Sequence, residues 1–261
     1  MSTELLSVPL GSDLDVTHKL GVTWQHPDTR SIQPVGLLTC STSRWEFAYL
    51  RVASEVTDFQ PFLGFPDLER RYSSRTLFPL FAQRVMRPSR PDYARYLRSL
   101  ALDDTATAWS ILARSQGARM GDTIRVFPEP VVDDSGRTRS TFFANGIRHR
   151  LRNDSTVGPT LEALTPGTEL TLVDEPDNPV NPLAIQLTER GGVALGWVPD
   201  VLLDYVHTVR AVAEPTVTVV VVNGPDVPPG FRLLVTLAGT APAGYRPFSG
   251  PRWEIATPGP Y

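Results

Sequence analysis

Cysteine and lysine are almost missing from this chain. Cys40 stands alone among 261 residues, so no intrachain disulfide can form, and neither a four-cysteine zinc site nor an iron–sulfur cluster can be assembled. Lys19 is the only lysine among 25 basic residues, so every other cation is a guanidinium, permanently charged and suited to bidentate contacts with phosphate or carboxylate. GC-rich coding is the simplest origin of that bias. Long apolar runs are also lacking. The most apolar stretch, residues 217–222, falls far short of the ~20 residues that span a bilayer, and residues 1–10 carry neither the basic nor the apolar region of an export signal. The expectation is a cytoplasmic protein with no membrane contact. There is no GxxxxGK[ST] loop, GxSxG elbow, HExxH helix or CxxC pair, and no two of His18, His26, His149 and His207 stand three or four apart, as a helix-borne metal site would need. ATPase, hydrolase and zinc-enzyme readings lose their usual support. No enzymatic activity, cofactor or metal is expected.

What the chain does have is the composition of a folded protein: 41% hydrophobic residues, 20% charged residues and a net charge of −3. The length suits two modest domains. Twenty-five prolines and 19 glycines favour many short elements, and therefore a β-rich or α+β architecture rather than long helices. In the first half, residues 22–24, 34–40 and 45–52 read as strands, with a Ser41-Thr42-Ser43 turn between the last two. A connector over residues 59–67 carries Phe59, Phe62, Leu63 and Phe65, too apolar to leave in water, and is expected to lie over the core. Apolar spacing of three and four predicts short helices over 77–86, 92–100 and 105–114, and a strand over 122–127 closes this unit.

Pro128-Glu129-Pro130 and Asp133-Asp134-Ser135-Gly136 interrupt both periodicities and mark the expected boundary. Beyond it, strands are predicted at 140–151, 169–173, 184–187, 192–198, 217–223 and 231–237, with a helix over about 199–212. Short strands with one interposed helix suggest a small, partly closed β-barrel. Five prolines and no periodicity make the end of the chain, 241–261, a flexible tail. The resulting expectation is an α+β protein: a small sheet with three helices over 16–130, then a barrel with one or two helices over 137–240.

Candidate chemistry is sparse. Asp174, Glu175 and Asp177 lie among prolines and read as a solvated turn rather than an acid–base pair. Gly191, Gly192 and Gly196 fall between strands, without the helix N-terminus that a phosphate loop needs. Arg137, Arg139, Arg148, Arg150 and Arg152, by contrast, fall within sixteen residues free of Asp and Glu. On a strand, Arg148, Arg150 and Arg152 would share one face at ~6.5–7 Å intervals, close to the phosphate spacing of an extended single strand. Such arginines equally guard an exposed strand edge against aggregation.

Four ordered pieces resemble a HIRAN domain over residues 141–237: Asn145-Gly146-Ile147-Arg148-His149, the stretch from Pro166-Gly167-Thr168 to Leu172, the central motif Glu175-Pro176-Asp177-Asn178-Pro179-Val180-Asn181-Pro182-Leu183-Ala184-Ile185, and Leu195-Gly196-Trp197-Val198-Pro199. The resemblance implies an OB-like β-barrel that holds the 3′-hydroxyl end of single-stranded DNA. It implies that Arg148 lies near the DNA end and that His149 stacks on a base. Val180 and Asn181 replace an aromatic and an aspartate of the family, which shrinks the stacking surface and turns an acidic acceptor into an amide. Trp197 is the candidate replacement platform, with burial in the core as its alternative. The first half resembles the N-terminal subdomain of bacterial HipA-type toxin kinases at Val35-Gly36-Leu37-Leu38, at residues 45–50, 77–81 and 111–114, and at 122–127. That subdomain docks protein and carries no phosphoryl-transfer residues. Together these readings predict a nucleic-acid-binding adaptor whose Arg148, Arg150 and Arg152 contact phosphates, while His149, Val180, Asn181 and Trp197 form a terminal-nucleotide pocket. Its partners would be single-stranded or end-bearing DNA and a protein such as a toxin kinase, helicase or nuclease. The alternatives are an antitoxin-like or defence-system regulator that binds only protein, and an accessory subunit of a separate helicase or nuclease.

Overall fold

A computed structural model describes residues 18–42, 44–119 and 121–256. Residues 1–17, Ser43 of the expected turn, Met120 and the last five residues of the expected tail lie outside them. Among the described residues, twelve strands form two antiparallel sheets, accompanied by six α-helices. The first sheet holds β1 (His18–Gln25), β2 (Ile32–Cys40), β3 (Trp45–Tyr49), β4 (Tyr72–Ser74) and β5 (Ile124–Pro128), in the order β4-β3-β2-β1-β5. Helices α1 (Pro79–Ala82), α2 (Tyr93–Ser99) and α3 (Ala108–Ser115) precede its last strand. The α3 start is fixed by a reciprocal cap: Ser110 N–H donates to the Thr107 hydroxyl at 3.1 Å, and Thr107 N–H donates to the Ser110 hydroxyl at 2.8 Å. Helix α1 is a single turn, shorter than the predicted 77–86, and two residues past its end Arg84 turns inward to pair with Asp122.

Phe47 sits at the centre of an aromatic core, with Phe65 and Tyr49 at ring distances of 4.5 and 4.9 Å. Tyr49 also pins the connector: its hydroxyl accepts from Phe62 N–H at 2.6 Å and donates to Phe65 O at 2.9 Å. Phe59, Phe62 and Phe65 are therefore buried as expected, while Leu63 points into solvent.

The second sheet runs β10-β9-β8-β11-β12-β7-β6. Its strands are β6 (Val131–Val132), β7 (Arg137–Phe143), β8 (Glu169–Asp174), β9 (Ile185–Thr188), β10 (Ala194–Trp197), β11 (Thr216–Val222) and β12 (Leu233–Thr240). Helices α4 (Ile147–Asn153) and α5 (Val157–Ala163) follow β7, and α6 (Leu203–Arg210) follows β10. A lone bridge between Asn145 and Trp197 links the β10 edge to the chain leaving β7, with N–H···O distances of 2.8 and 2.9 Å. Among the described residues no ladder closes between β7 and β10, so the sheet is open apart from that bridge. No described helix is long and apolar enough to cross a membrane.

Three expectations need correction. The strand predicted over 140–151 stops at Phe143 because Gly146 takes a left-handed conformation (φ 72°) and opens α4, which buries Ile147 one turn before Leu151. The expected tail is packed through Ala256. Ala241, Phe248 and Trp253 are buried, Phe248 stacks on Trp253 at 4.0 Å, and Ile255 bridges Leu50. Nor are the cores separate. Leu37, Leu50 and Phe127 of the first half join the cluster built around the second sheet, and Leu97, Leu100 and Ile111 pack with Phe143 and Leu234.

Candidate functional site

Helix α4 redistributes the arginines. At 3.6 residues per turn, Arg148 and Arg152 lie about 40° apart on one exposed face, and Arg150 points to nearly the opposite side. Arg150 is also occupied. Its Nε donates to Ala194 O at 2.8 Å, an Nη donates to Asp154 at 3.1 Å, and its guanidinium carbon lies 5.9 Å from the Trp197 ring. The row of three guanidinium groups read from strand spacing does not exist.

Trp197 is half-buried at the end of β10, and its indole N–H donates to Glu175 Oε2 at 2.6 Å. One ring face lies on Gly146, where a Cβ atom would come within 2.3 Å of Cε3. The exposed His149 ring is 6.0 Å away at 53°. The loop 175–184 is wound by its own side chains: Asn178 Nδ2 donates to Glu175 Oε2 at 2.6 Å, Asn178 Oδ1 accepts from Val180 and Asn181 N–H at 3.0 and 3.1 Å, and Asn181 Oδ1 accepts from Leu183 N–H at 3.0 Å. Glu175 therefore does more than sit in a solvated turn. Burial pushes its carboxyl upward, but hydrogen bonds from Asn178, Trp197 and Gln186 outweigh this and hold it below the ordinary range.

His149, Val180, Asn181 and Trp197 line one wall of a cleft of about 560 Å³ between the two sheets, a size usual for small-ligand sites. The facing wall comes from the first half and includes Arg30, Arg125, Gln116 and Thr123. Arg30 sits at φ 62° in the β1–β2 turn, and its guanidinium has no partner among the described residues. Among the described residues Arg125 donates only to Ile124 O, at 3.2 Å. Burial lowers the Arg125 pKa, against the pull of Asp122 and reinforced by Arg30, so the two guanidinium groups feel each other's charge. Gln116 is buried, and its Nε2 donors are unmatched. The carboxylates at the cleft are engaged. Asp122 pairs with Arg84 and accepts from Ile124 N–H, and Glu175 holds Trp197 and Asn178. Burial pushes Asp200 upward against the influence of Arg252 and Asn181.

Of the residues singled out by sequence, four meet in this cleft, whereas Arg148 and Arg152 stay on the outer face of α4 and Arg150 is tied behind Trp197. Sequence reasoning missed Arg30, Arg125 and Gln116. Nothing in their local spacing signals them, because the packing of one sheet against the other brings them into place. Among the described residues no group of three or more His, Cys, Asp or Glu side chains could hold a metal. Compared with family models, curated proteins and solved structures, the chain matches none.

Proposed function

We propose that this protein is a cytoplasmic, non-enzymatic adaptor that binds single-stranded or end-bearing nucleic acid in the cleft between its two halves. The carrying observation is the opposition of Trp197, His149 and Asn181 on one wall to Arg30 and Arg125 on the other. A nucleotide placed there would set its base against the indole and imidazole and its phosphates against two guanidinium groups. The Asn145–Trp197 bridge supports the finer reading of the second half as a nearly closed, OB-like, HIRAN-like barrel. The first half would then both complete the cleft and dock a protein partner such as a toxin kinase, helicase or nuclease.

Fluorescence anisotropy with short single strands ending in 3′-hydroxyl or 3′-phosphate tests this. With two phosphates neutralised at ~0.7 per contact, log affinity should fall against log salt with a slope of about −1.4. Arg30→Ala should flatten that slope, and Asn181→Ala should reduce discrimination between the two ends. A salt-independent affinity, or one unchanged by Arg30→Ala, would sink the reading. A second reading, a regulator that binds only protein, is favoured by Val180 and Leu183, exposed at 68% and 53% on the loop beside the cleft. Failure of every nucleic-acid probe to bind would favour it.

A further inference from the structure

On the other side of the Arg84–Asp122 pair, a second cavity of about 780 Å³ opens within the first half, between the α1 region and the turn after α3. Arg84, Arg87, Arg90 and Arg119 line it, and no Asp or Glu does. Their pairing leaves charge unmatched. Arg90 is held bidentately by Asp92 at 2.9 Å, Arg119 donates to the neutral Gln83 Oε1 at 2.7 Å, and Arg87 is exposed and has no partner among the described residues.

Arg84 is the central observation. Its side chain is fully buried and makes one bond, to Asp122 at 2.6 Å, while its Nε and Nη1 donors have no partner. Burial lowers its pKa, Asp122 acts against this, and Arg119 and Arg125 add to it. Buried guanidinium donors are rarely left unmade, because an unsatisfied charged donor carries its full desolvation penalty. Asp122, behind the cavity wall, is therefore the single carboxylate set against Arg84, Arg119 and Arg125, and the cavity lining itself holds no anion.

We infer that this cavity is an anion site for a phosphomonoester, with Arg84, Arg87 and Arg119 receiving the phosphate. Planar guanidinium groups match phosphate oxygens, and a dianion supplies the charge the cluster lacks. The volume exceeds that of the phosphate group alone. The remaining lining, Leu77, Val85, Met86 and Tyr96, would accommodate the organic body that carries it. This site is separate from the inter-sheet cleft and does not depend on the function proposed for that cleft.

Isothermal titration calorimetry of the full chain tests it with inorganic phosphate, adenosine 5′-monophosphate, phosphoserine and adenosine. Inorganic phosphate and at least one of the two esters should bind, and adenosine should not. Equal binding by both esters identifies a general phosphomonoester site, and binding by only one of them names the favoured body. Arg87→Ala and Arg119→Ala, at exposed positions that leave the fold intact, should each weaken binding by about ten- to a hundredfold, the equivalent of a lost charged hydrogen bond. Arg84→Met should abolish binding if it folds, and the two surface variants decide the matter if it does not. Absence of phosphate binding at millimolar concentration, binding of adenosine as tight as that of its monophosphate, or wild-type affinity in both surface variants would overturn the assignment.

Discussion

Trp197 is fixed through its main chain, its indole nitrogen and one ring face. The indole N–H donates to Glu175, whose ionised carboxylate is the stronger acceptor and whose carboxyl the hydrogen bonds hold below its usual range. A carboxyl with a depressed folded pKa contributes stability that is complete above its unfolded value of about 4.3 and is lost as pH falls through the folded value. Glu175→Gln removes the charge and keeps an amide oxygen as acceptor. The variant should melt below wild type at neutral pH, and the gap should close as the pH falls below the ordinary carboxyl range and through the depressed folded value. Thermal melts across that range measure it, and a gap of constant size would show that Glu175 ionisation does not hold the tryptophan.

Much of the strand pattern was legible. Strands β2, β3, β5, β8, β9, β10 and β11 lie where short apolar, β-branched and aromatic runs placed them; β8 and β11 alternate as half-buried strands do, whereas β2, β3 and β10 are continuous buried runs covered on both faces. Helix α4 was misread for a physical reason: the arginines at 148, 150 and 152 imitate a period of two, whereas Ile147 and Leu151, four apart, carried the true signal behind the Gly146 start. The end of the chain was misread because its prolines mask two anchors. Trp253 packs over Gly21, where a Cβ atom would come within 2.6 Å of the ring, and stacks on Phe248. Trp253→Ala should therefore destabilise the protein by about 3–5 kcal/mol, as for other large buried aromatics. Urea unfolding measures this, and a loss below about 1 kcal/mol would make the segment a passive appendage.

Two of the three buried clusters mix side chains from both halves, and Asn223 Nδ2 donates to Ser99 O across them at 2.7 Å. Halves joined in this way should unfold together. Calorimetry should give one transition whose calorimetric and van't Hoff enthalpies agree, and two resolved transitions would show independently stable units. The cleft was only half legible for the same reason. The wall that carries His149, Val180, Asn181 and Trp197 is contiguous enough in sequence to leave motifs, but Arg30 and Arg125 stand 95 positions apart and are brought to the cleft through the β1–β5 pairing.

The double main-chain bond between Asn145 and Trp197 gives that opening a fixed sill. Anything entering meets a floor that cannot widen without breaking backbone hydrogen bonds, whereas the lip from Asn178 to Leu183 is held mainly by short side-chain turns. If the cleft is filled as proposed, selection among guests by girth would fall to the floor, and accommodation of their differing outlines to the lip.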